Sequence, residues 1–316
     1  MKKGNQHSGR LTEELFSQTA KLEKHLKRKG KRRLNVSGVL RILGVSRAGY
    51  YSFKKRESLG ESSRKQHIKQ LILEIHLKSK RIYGAPKITM ELRKKGVRIA
   101  ERTVGKYMRD MGLRAHYITK RPAVPYSDPD FELELKNLLQ EQFNPEHPNT
   151  IWCTDITYIS TKNGFVYLIS IMDLFSRRII AWRLSKTLEA KWVVECIEEA
   201  KKYRAIAKPL IVHSDQGSQY VSDAYLEALG QIKPSYSRKA SPWQNACIES
   251  FHALIKREWL YSFKIEDFEH AYKLIFEYIE AFYNTVRSHS HCGYLSPAQY
   301  EAYYYRKLKG SLERVA

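Results

Sequence analysis

The spacing of apolar residues changes along this chain and divides it into two parts. Before about residue 120, apolar residues recur every three or four positions, as on one face of a helix. From about residue 149, short apolar runs of strand length alternate with helical stretches, as in a sheet that helices cover. The pattern therefore predicts an all-α front part followed by an α/β part.

The first helical stretch, residues 1–33, is polar and carries a leucine stripe on one helix face, at Leu11, Leu15, Leu22 and Leu26. We expect an N-terminal helical arm here. Because sustained heptads are lacking, the stripe fits a solvated helix as well as it fits a short coiled-coil contact for oligomerisation with another protomer.

Residues 34–60 predict a first helix-turn-helix. Asn35 or Ser37 can cap a short helix, a glycine then breaks it, and a basic second helix follows. A short helix, a glycine turn and a basic helix are typical of DNA-binding modules. The candidate DNA contacts on the second helix are Arg47 and Lys54.

Residues 61–120 predict a second, larger helix-turn-helix. Pro86 suits the first turn of its middle helix, and a last helix should run from Ala100 to Met111. We expect this last helix to enter a major groove, although a plain three-helix bundle would give the same apolar pattern. Its outward-facing candidates for DNA contact are Arg102, Lys106 and Arg109.

The remaining chain is predicted to hold a linker, a catalytic core and a helical extension, at residues 121–148, 149–262 and 263–316. The linker is rich in proline and acidic residues. In the core, three strands should form an antiparallel meander with a tight turn at Asn163-Gly164, and parallel strands with helices between them should follow. We therefore expect an α/β core with a mixed five-stranded sheet, preceded by all-α modules and followed by C-terminal helices.

The charge distribution gives the two parts different tasks. Residues 1–120 carry 32 Lys and Arg against 9 Asp and Glu, whereas residues 121–316 carry 24 of each, so the formal net charge of +23 lies in the first part. A basic module joined to a neutral one suggests that the first part grips a polyanion, most simply nucleic acid, while the second does chemistry.

Other features of composition exclude some classes of protein. The chain has no run of eighteen apolar residues and no apolar segment near its start, so we expect no membrane partner and no secretory signal. Four widely spaced cysteines without a CxxC motif fit a reducing compartment. We therefore expect a cytoplasmic protein.

Three acids occupy positions where carboxylates are costly or where ligands usually bind. Asp155 lies within an apolar strand, Asp215 ends an inner parallel strand, and Glu249 lies on a helix that Ser241 should cap. Oxygen ligands without a nearby His or Cys cluster suit Mg²⁺ or Mn²⁺, and such a site can hold two ions for phosphoryl transfer. For any single acid the alternative is a surface salt bridge.

Three further features are ambiguous. Asp173 ends the second strand and could be an accessory acid, but we interpret it as a hydrogen-bond partner of Ser176 or Arg177. A zinc site is conceivable at His289, His291 and Cys292, but no second ligand pair is nearby. Lys256 projects from the same helix face as Glu249 and His252, toward a phosphate or simply into solvent.

Several motifs resemble those of the transposase and retroviral integrase superfamily. They are Trp152-x-Thr154-Asp155-Ile156-Thr157-Tyr158, His213-Ser214-Asp215-x-Gly217-Ser218-Gln219-Tyr220, Asn245-Ala246-x-x-Glu249-Ser250-Phe251, Tyr283-Asn284-x-x-Arg287-x-His289 and Gly293-Tyr294-x-Ser296-Pro297. The chain is most similar to the larger, catalytic protein of bacterial insertion sequences. This resemblance implies a ribonuclease H-like fold, an Asp-Asp-Glu site at Asp155, Asp215 and Glu249, and a DNA contact by Lys256.

One departure from the family pattern is the spacing of the second and third acids. Thirty-three residues separate Asp215 from Glu249, two fewer than usual, and we expect the shortening near Leu229 to Lys233. The assignment of the acids is unaffected, because that segment is a loop between a helix and a strand.

Together these features predict a Mg²⁺-dependent DNA transposase. It would bind the terminal inverted repeats of its element, cleave 3′ ends and join them to target DNA, acting near the bacterial nucleoid. Because two ends must be held together, we expect a homodimer or larger assembly on DNA, and the resemblance adds a possible upstream protein encoded by the element. The alternatives are a ribonuclease H-like nuclease without joining activity and a DNA-binding regulator with an inactive core.

Overall fold

A computed structural model describes residues 4–29, 34–58, 63–116, 135–206, 210–238 and 241–312. The chain separates into two compact units, residues 1–71 and 72–316. Half of the predicted linker, residues 121–134, lies outside the described ranges. The predicted boundaries of the domains stay predictions.

The first unit is helical. Its helices are α1 (Gly4–Arg28), α2 (Val36–Ile42), α3 (Arg47–Ser58) and the beginning of α4 (Ser63–Lys78). A small apolar core joins α1 to the α2–α3 pair through Phe16, Val36, Leu40 and Tyr50. The Asn35 side chain accepts a hydrogen bond from Gly38 N at 3.0 Å, so Asn35 rather than Ser37 caps α2.

Two helices follow α4 and end the helical part, α5 (Ala85–Lys94) and α6 (Glu101–Asp110). Pro86 lies in the first turn of α5, as predicted, where its missing N–H costs nothing. Val104 and Met108 bury one face of α6. The opposite face carries Arg102, Lys106 and Arg109 in solvent.

The second unit contains one mixed five-stranded sheet in the order β3-β2-β1-β4-β5. The strands are β1 (Ile151–Thr161), β2 (Gly164–Asp173), β3 (Arg178–Ser185), β4 (Ile211–Ser214) and β5 (Lys233–Tyr236). The first three are antiparallel, and β4 and β5 run parallel to β1. The predicted sheet is therefore confirmed. This α/β topology is the ribonuclease H-like arrangement that the motifs imply.

Sheet register decides where the site can form. Strand β1 pairs with β4 only over Ile151–Cys153, whereas its pairing with β2 continues to Thr161. Beyond Cys153 the β4 side of β1 is therefore open, and Asp155 lies on this open stretch next to the end of β4. A long hairpin beside a short parallel strand thus creates the recess for the acids.

The first hairpin differs from the prediction by one residue. Its two turn residues are Lys162 and Asn163, because Thr161 already pairs with Gly164. Gly164 starts β2 with φ of +110°, a conformation that residues with a side chain rarely adopt. The glycine is needed, but as the first strand residue and not as a turn residue.

Helices pack on both faces of the sheet. One face is covered by α7 (Ala190–Tyr203) and α8 (Asp223–Leu229), whose apolar residues meet Trp152, Ile171 and Val212 in the main core. The other face carries α9 (Ala246–Glu258), and α10 (Phe268–Tyr278) and α11 (Pro297–Leu312) follow it. Among the described residues no helix is long and apolar enough to cross a membrane.

The start of α9 differs from the prediction. Residues Pro242–Asn245 form a 3₁₀ turn, and the α-helix itself begins at Ala246. The Ser241 side chain makes no capping hydrogen bond, so the predicted Ser241 cap is wrong. The Asn245 side chain also leaves the helix end uncapped, because it bonds to the sheet instead.

Candidate active site

Asp155 is held by two hydrogen bonds on the open stretch of β1. Its Oδ1 accepts from the next backbone amide, Ile156 N, at 2.8 Å. Its Oδ2 lies 3.3 Å from Nδ1 of His252, a residue of α9. The carboxylate is one-fifth exposed, at 19%. Asp155 therefore lies at the surface of the recess in a fixed orientation.

Asp215 directly follows β4, whose carboxyl end opens into the same recess. Its Oδ1 accepts from Gly217 N at 3.0 Å, which folds the chain sharply behind the strand. A Cβ on residue 217 would lie 3.0 Å from that oxygen, so only glycine allows this close turn without displacement. The glycine after the aspartate thus has a local structural cause.

Glu249 lies in the first turn of α9, and its side chain is exposed. Four residues earlier, the buried Asn245 donates from Nδ2 to the carbonyl oxygen of Thr154 at 3.1 Å. Because Thr154 directly precedes Asp155, this bond fixes the start of the glutamate helix against the strand that carries the first acid.

The segment that follows Asp215 is fixed in a similar way. Tyr220, five residues after Asp215, is fully buried, and its hydroxyl lies 3.2 Å from the hydroxyl of Thr154. Thr154 therefore connects all three acid-bearing segments, one through its backbone and one through its side chain. Sequence analysis did not assign a role to Thr154, Tyr220 or Asn245, although each lies in a quoted motif.

The carboxylates influence one another electrostatically. Loss of solvation, then the charge of Asp155, raises the pKa of Asp215 to about 6. Loss of solvation, then the charges of Asp155 and Asp215, raises the pKa of Glu249 to about 7. Within the described chain, Asp215 and Glu249 form no ion pair, and Asp155 meets only His252. The three acids therefore share one region of negative potential, in which no Lys or Arg of the described chain forms an ion pair with them.

The acids do not form a closed ligand shell. In the part of the chain that the structure describes, no three His, Cys, Asp or Glu side chains converge closely enough to hold a metal ion. The three carboxylates carry like charges, which repel one another. Their oxygen chemistry nevertheless fits Mg²⁺ or Mn²⁺, since these cations prefer carboxylates and would relieve the repulsion.

His252 is a site residue that sequence analysis placed on the right helix face without assigning it a role. It is buried, with 4% of its surface exposed. Its Nδ1 faces Asp155, and its Nε2 lies 3.2 Å from the hydroxyl of Ser170 on β2. The available signal in the sequence was that His252 follows Glu249 by three residues, which places both side chains on one face of the helix.

Lys256 reaches the same recess from the next turns of α9. Its Nζ donates to the hydroxyl of Thr157 at 2.7 Å and lies 4.6 Å from the ring centre of Tyr158. Burial lowers the pKa of Lys256, and the charge of Asp155 partly offsets this. The lysine is thus next to the acids and is not a generic surface residue.

Two ambiguous features have structural explanations. The fully buried Asp173 accepts from the backbone amides of Asn149 and Phe175, both at 2.9 Å. Asp173 is a hydrogen-bond partner of Arg177, as predicted, but through its backbone, because its carbonyl oxygen accepts from Arg177 N at 2.8 Å. Burial raises the pKa of Asp173 to about 6.

The histidine and cysteine group near residue 290 is also structural. His291 Nε2 lies 3.0 Å from the Phe175 carbonyl, and Cys292 Sγ donates to the Ser176 carbonyl. These bonds join the C-terminal segment to the β2–β3 turn. The contacts of His291 and Cys292 with backbone carbonyls favour this structural interpretation over the zinc alternative.

The predicted DNA contacts of the helical modules are all at the surface. Arg102, Lys106 and Arg109 are exposed on α6. In the first unit Arg47 is exposed at the start of α3, and Lys54 Nζ lies 2.8 Å from Glu23 Oε2. An exposed pair of this kind contributes little to stability, so Lys54 can exchange Glu23 for a phosphate.

Both family models and solved structures resemble parts of this chain. Family models match for an integrase core domain at residues 145–242 and 230–297, and for a helix-turn-helix-like domain at residues 63–121. Solved structures that resemble it include a simian T-cell lymphotropic virus intasome, at 15% identity and TM-score 0.41, covering 73% of this chain and 74% of that chain. Another is the catalytic domain of Mos1 mariner transposase, at 15% identity and TM-score 0.35, covering 42% and 71%.

The integrase-core match and the sheet with its three acids together define a polynucleotidyl transferase of the Asp-Asp-Glu class. Among curated proteins, transposase InsF of insertion sequence IS3A from Escherichia coli is 35% identical over 84% of this chain and 94% of its own length. The transposase of IS904 from Lactococcus lactis is 39% identical over 76% and 97%. The chain belongs to this family of insertion-sequence transposases.

Proposed function

We propose that this transposase uses Asp155, Asp215 and Glu249 to bind two Mg²⁺ or Mn²⁺ ions and to cleave and join DNA strands at the ends of its element. The observation that supports this most directly is the uncompensated negative region at the edge of β1 and β4. Loss of solvation raises the pKa of both Asp215 and Glu249, and the charge of Asp155 raises both pKa values further. A divalent cation supplies the missing positive charge.

The site residues and the bound ions would have distinct roles. When bound, the ions would activate the attacking oxygen and stabilise the leaving oxygen of an in-line displacement at phosphorus. Asp155 and Asp215 are held in place by their hydrogen bonds and form the fixed half of the site. The exposed Glu249 completes the ligand set by rotating inward, and Lys256 contacts a DNA phosphate beside the reacting one.

The helical modules would supply DNA recognition. Arg102, Lys106 and Arg109 present three cations on one side of α6, which suits a helix that lies in a major groove. Arg47 and Lys54 form a second cationic patch in the first unit. We propose that these surfaces bind the terminal inverted repeats and that at least two copies assemble on a pair of ends, near the nucleoid. An upstream element-encoded protein is a possible further partner.

A strand-transfer assay tests the chemistry. The purified protein is incubated with Mg²⁺, a pre-cut element end and a target plasmid, and joined product is measured. We expect joining by the wild type and by Glu227→Gln, an exposed acid on α8, but none by Asp155→Asn or Asp215→Asn. Both Asp variants should still shift the end in a gel, because the helical modules are unchanged.

Other outcomes decide between the alternatives. Metal-dependent cleavage without any joined product would favour a nuclease. Sequence-specific binding without cleavage would favour a regulator. Normal joining by either aspartate variant would remove that acid from the mechanism.

A further inference from the structure

The β1–β2 hairpin exposes two large aromatic side chains next to the active site. Tyr158 is 62% exposed and Phe165 is 56% exposed. Their ring centres lie 5.5 Å apart, and the rings are nearly perpendicular, at 85°. Such a pair forms a corner with one ring as floor and the other as wall.

Strand register places both rings on one face of the hairpin. Tyr158 pairs with Tyr167, and Ser160 pairs with Phe165, so Tyr158 and Phe165 are diagonal neighbours across the two strands. Aromatic neighbours in this position usually pack under another element. Here they remain in solvent, and adjacent exposed apolar groups of this size indicate an interaction surface.

The charges around this corner favour an anionic partner. Lys256 Nζ lies over the Tyr158 ring at 4.6 Å. Near the hairpin tip, Lys162 N donates to the Ile265 carbonyl, which brings Lys162 and the exposed Lys264 to the same edge. Glu266 pairs with Lys162, so the cations exceed the anions. Flat apolar rings flanked by lysines match a nucleotide, which has a planar base and a phosphate.

We propose that Tyr158 and Phe165 stack an unpaired base of the DNA strand that lies in the active site. This inference rests on the proposed function and adds a contact to it. The side chains of Asp155 and Tyr158 point to opposite faces of β1, so the DNA strand would pass around the open edge of β1, where Lys256 contacts both Thr157 and the Tyr158 ring. Along β1, Tyr158 follows Asp155 by three residues, a distance of about 10 Å. That length equals about three nucleotide rises along one strand. The stacked base therefore belongs to one of the three nucleotides beside the reacting phosphate.

The corner gives the enzyme a way to hold frayed DNA. A base that leaves its partner at the cut site loses stacking within the duplex. A floor and wall of aromatic rings replaces that stacking without reading the base identity. The contact would keep the terminal nucleotides separated while the acids act on the phosphate.

Fluorescence of 2-aminopurine tests the proposal. A pre-cut end carries this base, unpaired, at each of the three positions beside the reacting phosphate in turn, and binding is followed in EDTA. We expect wild-type protein and Tyr158→Phe to quench one position strongly. Tyr158→Ala and Phe165→Ala should lose this quenching. Tyr203→Ala is the matched control, because Tyr203 is 68% exposed with Lys202 over its ring, on α7.

Strand transfer provides a second readout. With Mg²⁺, Tyr158→Ala should join ends roughly tenfold more slowly than wild type, in line with what stacking of one base contributes. A duplex end that already carries mismatches at the three positions should show the same dependence on Tyr158. Tyr203→Ala should react like the wild type.

Two results would overturn the proposal. One is unchanged quenching at all three positions in both alanine variants. The other is a change in oligomeric state of Tyr158→Ala or Phe165→Ala by sedimentation, which would assign the corner to a second copy of the chain. Failure of the proposed function is distinguishable, because it would abolish metal-dependent joining by the wild type while quenching, measured without metal, persists.

Discussion

Helix α9 carries two glutamates with opposite environments. Glu249 in its first turn is exposed, has no ion pair among the described residues, and has a pKa raised to about 7. Glu258 at its last position is buried, and both of its oxygens accept hydrogen bonds from Arg287, at 2.6 and 2.7 Å. Burial by itself would raise the pKa of Glu258, but Arg287 outweighs burial and lowers it.

The difference separates a structural charge from a functional one. At Glu258 the protein supplies its own cation, and the Tyr278 hydroxyl adds a third hydrogen bond at 2.7 Å. At Glu249 the protein supplies only further negative charge. Arg287 therefore neutralises the carboxylate that holds helices together, whereas the carboxylate proposed to bind an external cation has no such partner among the described residues.

The largest effect should come from removing the uncompensated charge. Glu249→Gln keeps the size of the side chain but removes an anionic oxygen, so we expect strand transfer to fall by at least about a thousandfold. Thermal unfolding without metal should change little, because Glu249 is exposed. Residual joining near the wild-type level would show that Glu249 is not a ligand.

The compensated glutamate should behave in the reverse way. Glu258→Gln leaves the buried guanidinium of Arg287 without its carboxylate, and we expect the free energy of unfolding to fall by about 3–5 kcal/mol in urea denaturation. The double variant Glu258→Gln with Arg287→Met should recover part of that loss, since no unpaired charge remains. A single variant as stable as the wild type would contradict a structural role for the pair.

His252 sharpens the comparison from within the active site. His252→Ala removes the hydrogen bond that orients Asp155, and we expect Mn²⁺ to bind about 10–100-fold more weakly by calorimetry without DNA. Ser170→Ala, which removes only the outer contact of the ring, should have a smaller effect. Equal Mn²⁺ affinity in His252→Ala and the wild type would show that Asp155 needs no support from α9.

The smallest predicted effect is the pH dependence of stability that arises from His289, which lies among basic residues that include Arg287. Burial, followed by the charges of Arg287, Arg177, His291 and Lys87, lowers the pKa of His289 to about 3. In the unfolded chain histidine gains its proton near pH 6.5, whereas the folded protein resists protonation down to about pH 3. The contribution of His289 to the free energy of unfolding is therefore complete above about pH 6.5 and is lost as the pH falls below that value.

We expect His289 to account for about 1 kcal/mol of lost unfolding free energy between pH 7.5 and pH 5.5, after allowing for partial exposure of the ring. His289→Asn should reduce the slope of stability against pH by this amount, measured by urea denaturation at several pH values. An identical slope in the variant would show that other groups carry the acid sensitivity.

Much of the fold was predictable because local signals agreed. Pro86 lies in the first turn of α5, α6 lies within the predicted helix Ala100–Met111, and the five-stranded sheet was expected from its apolar runs. Ser241 failed as a cap because a 3₁₀ turn separates it from α9, and Asn245, which directly precedes the helix, bonds to Thr154 instead. A cap competes with tertiary hydrogen bonds that no local pattern reveals.

The acids of the candidate site were as predictable from the sequence as the fold was. An acid in an apolar strand, an acid at a strand end and an acid on a helix are each visible in the sequence. The supports of the site were not, because Thr154 meets Tyr220 and Asn245 across 66 and 91 residues of chain. Tyr158 and Phe165 likewise looked like ordinary strand residues.

The sequence by itself determined the order of the elements, the location of the positive charge and the identity of the three acids, because these depend on periodicity and residue type. Only the tertiary structure decided which charges are neutralised. Glu249 and Glu258 are both glutamates of α9. Whether a cation such as Arg287 lies within hydrogen-bonding distance of the carboxylate depends on how distant segments pack.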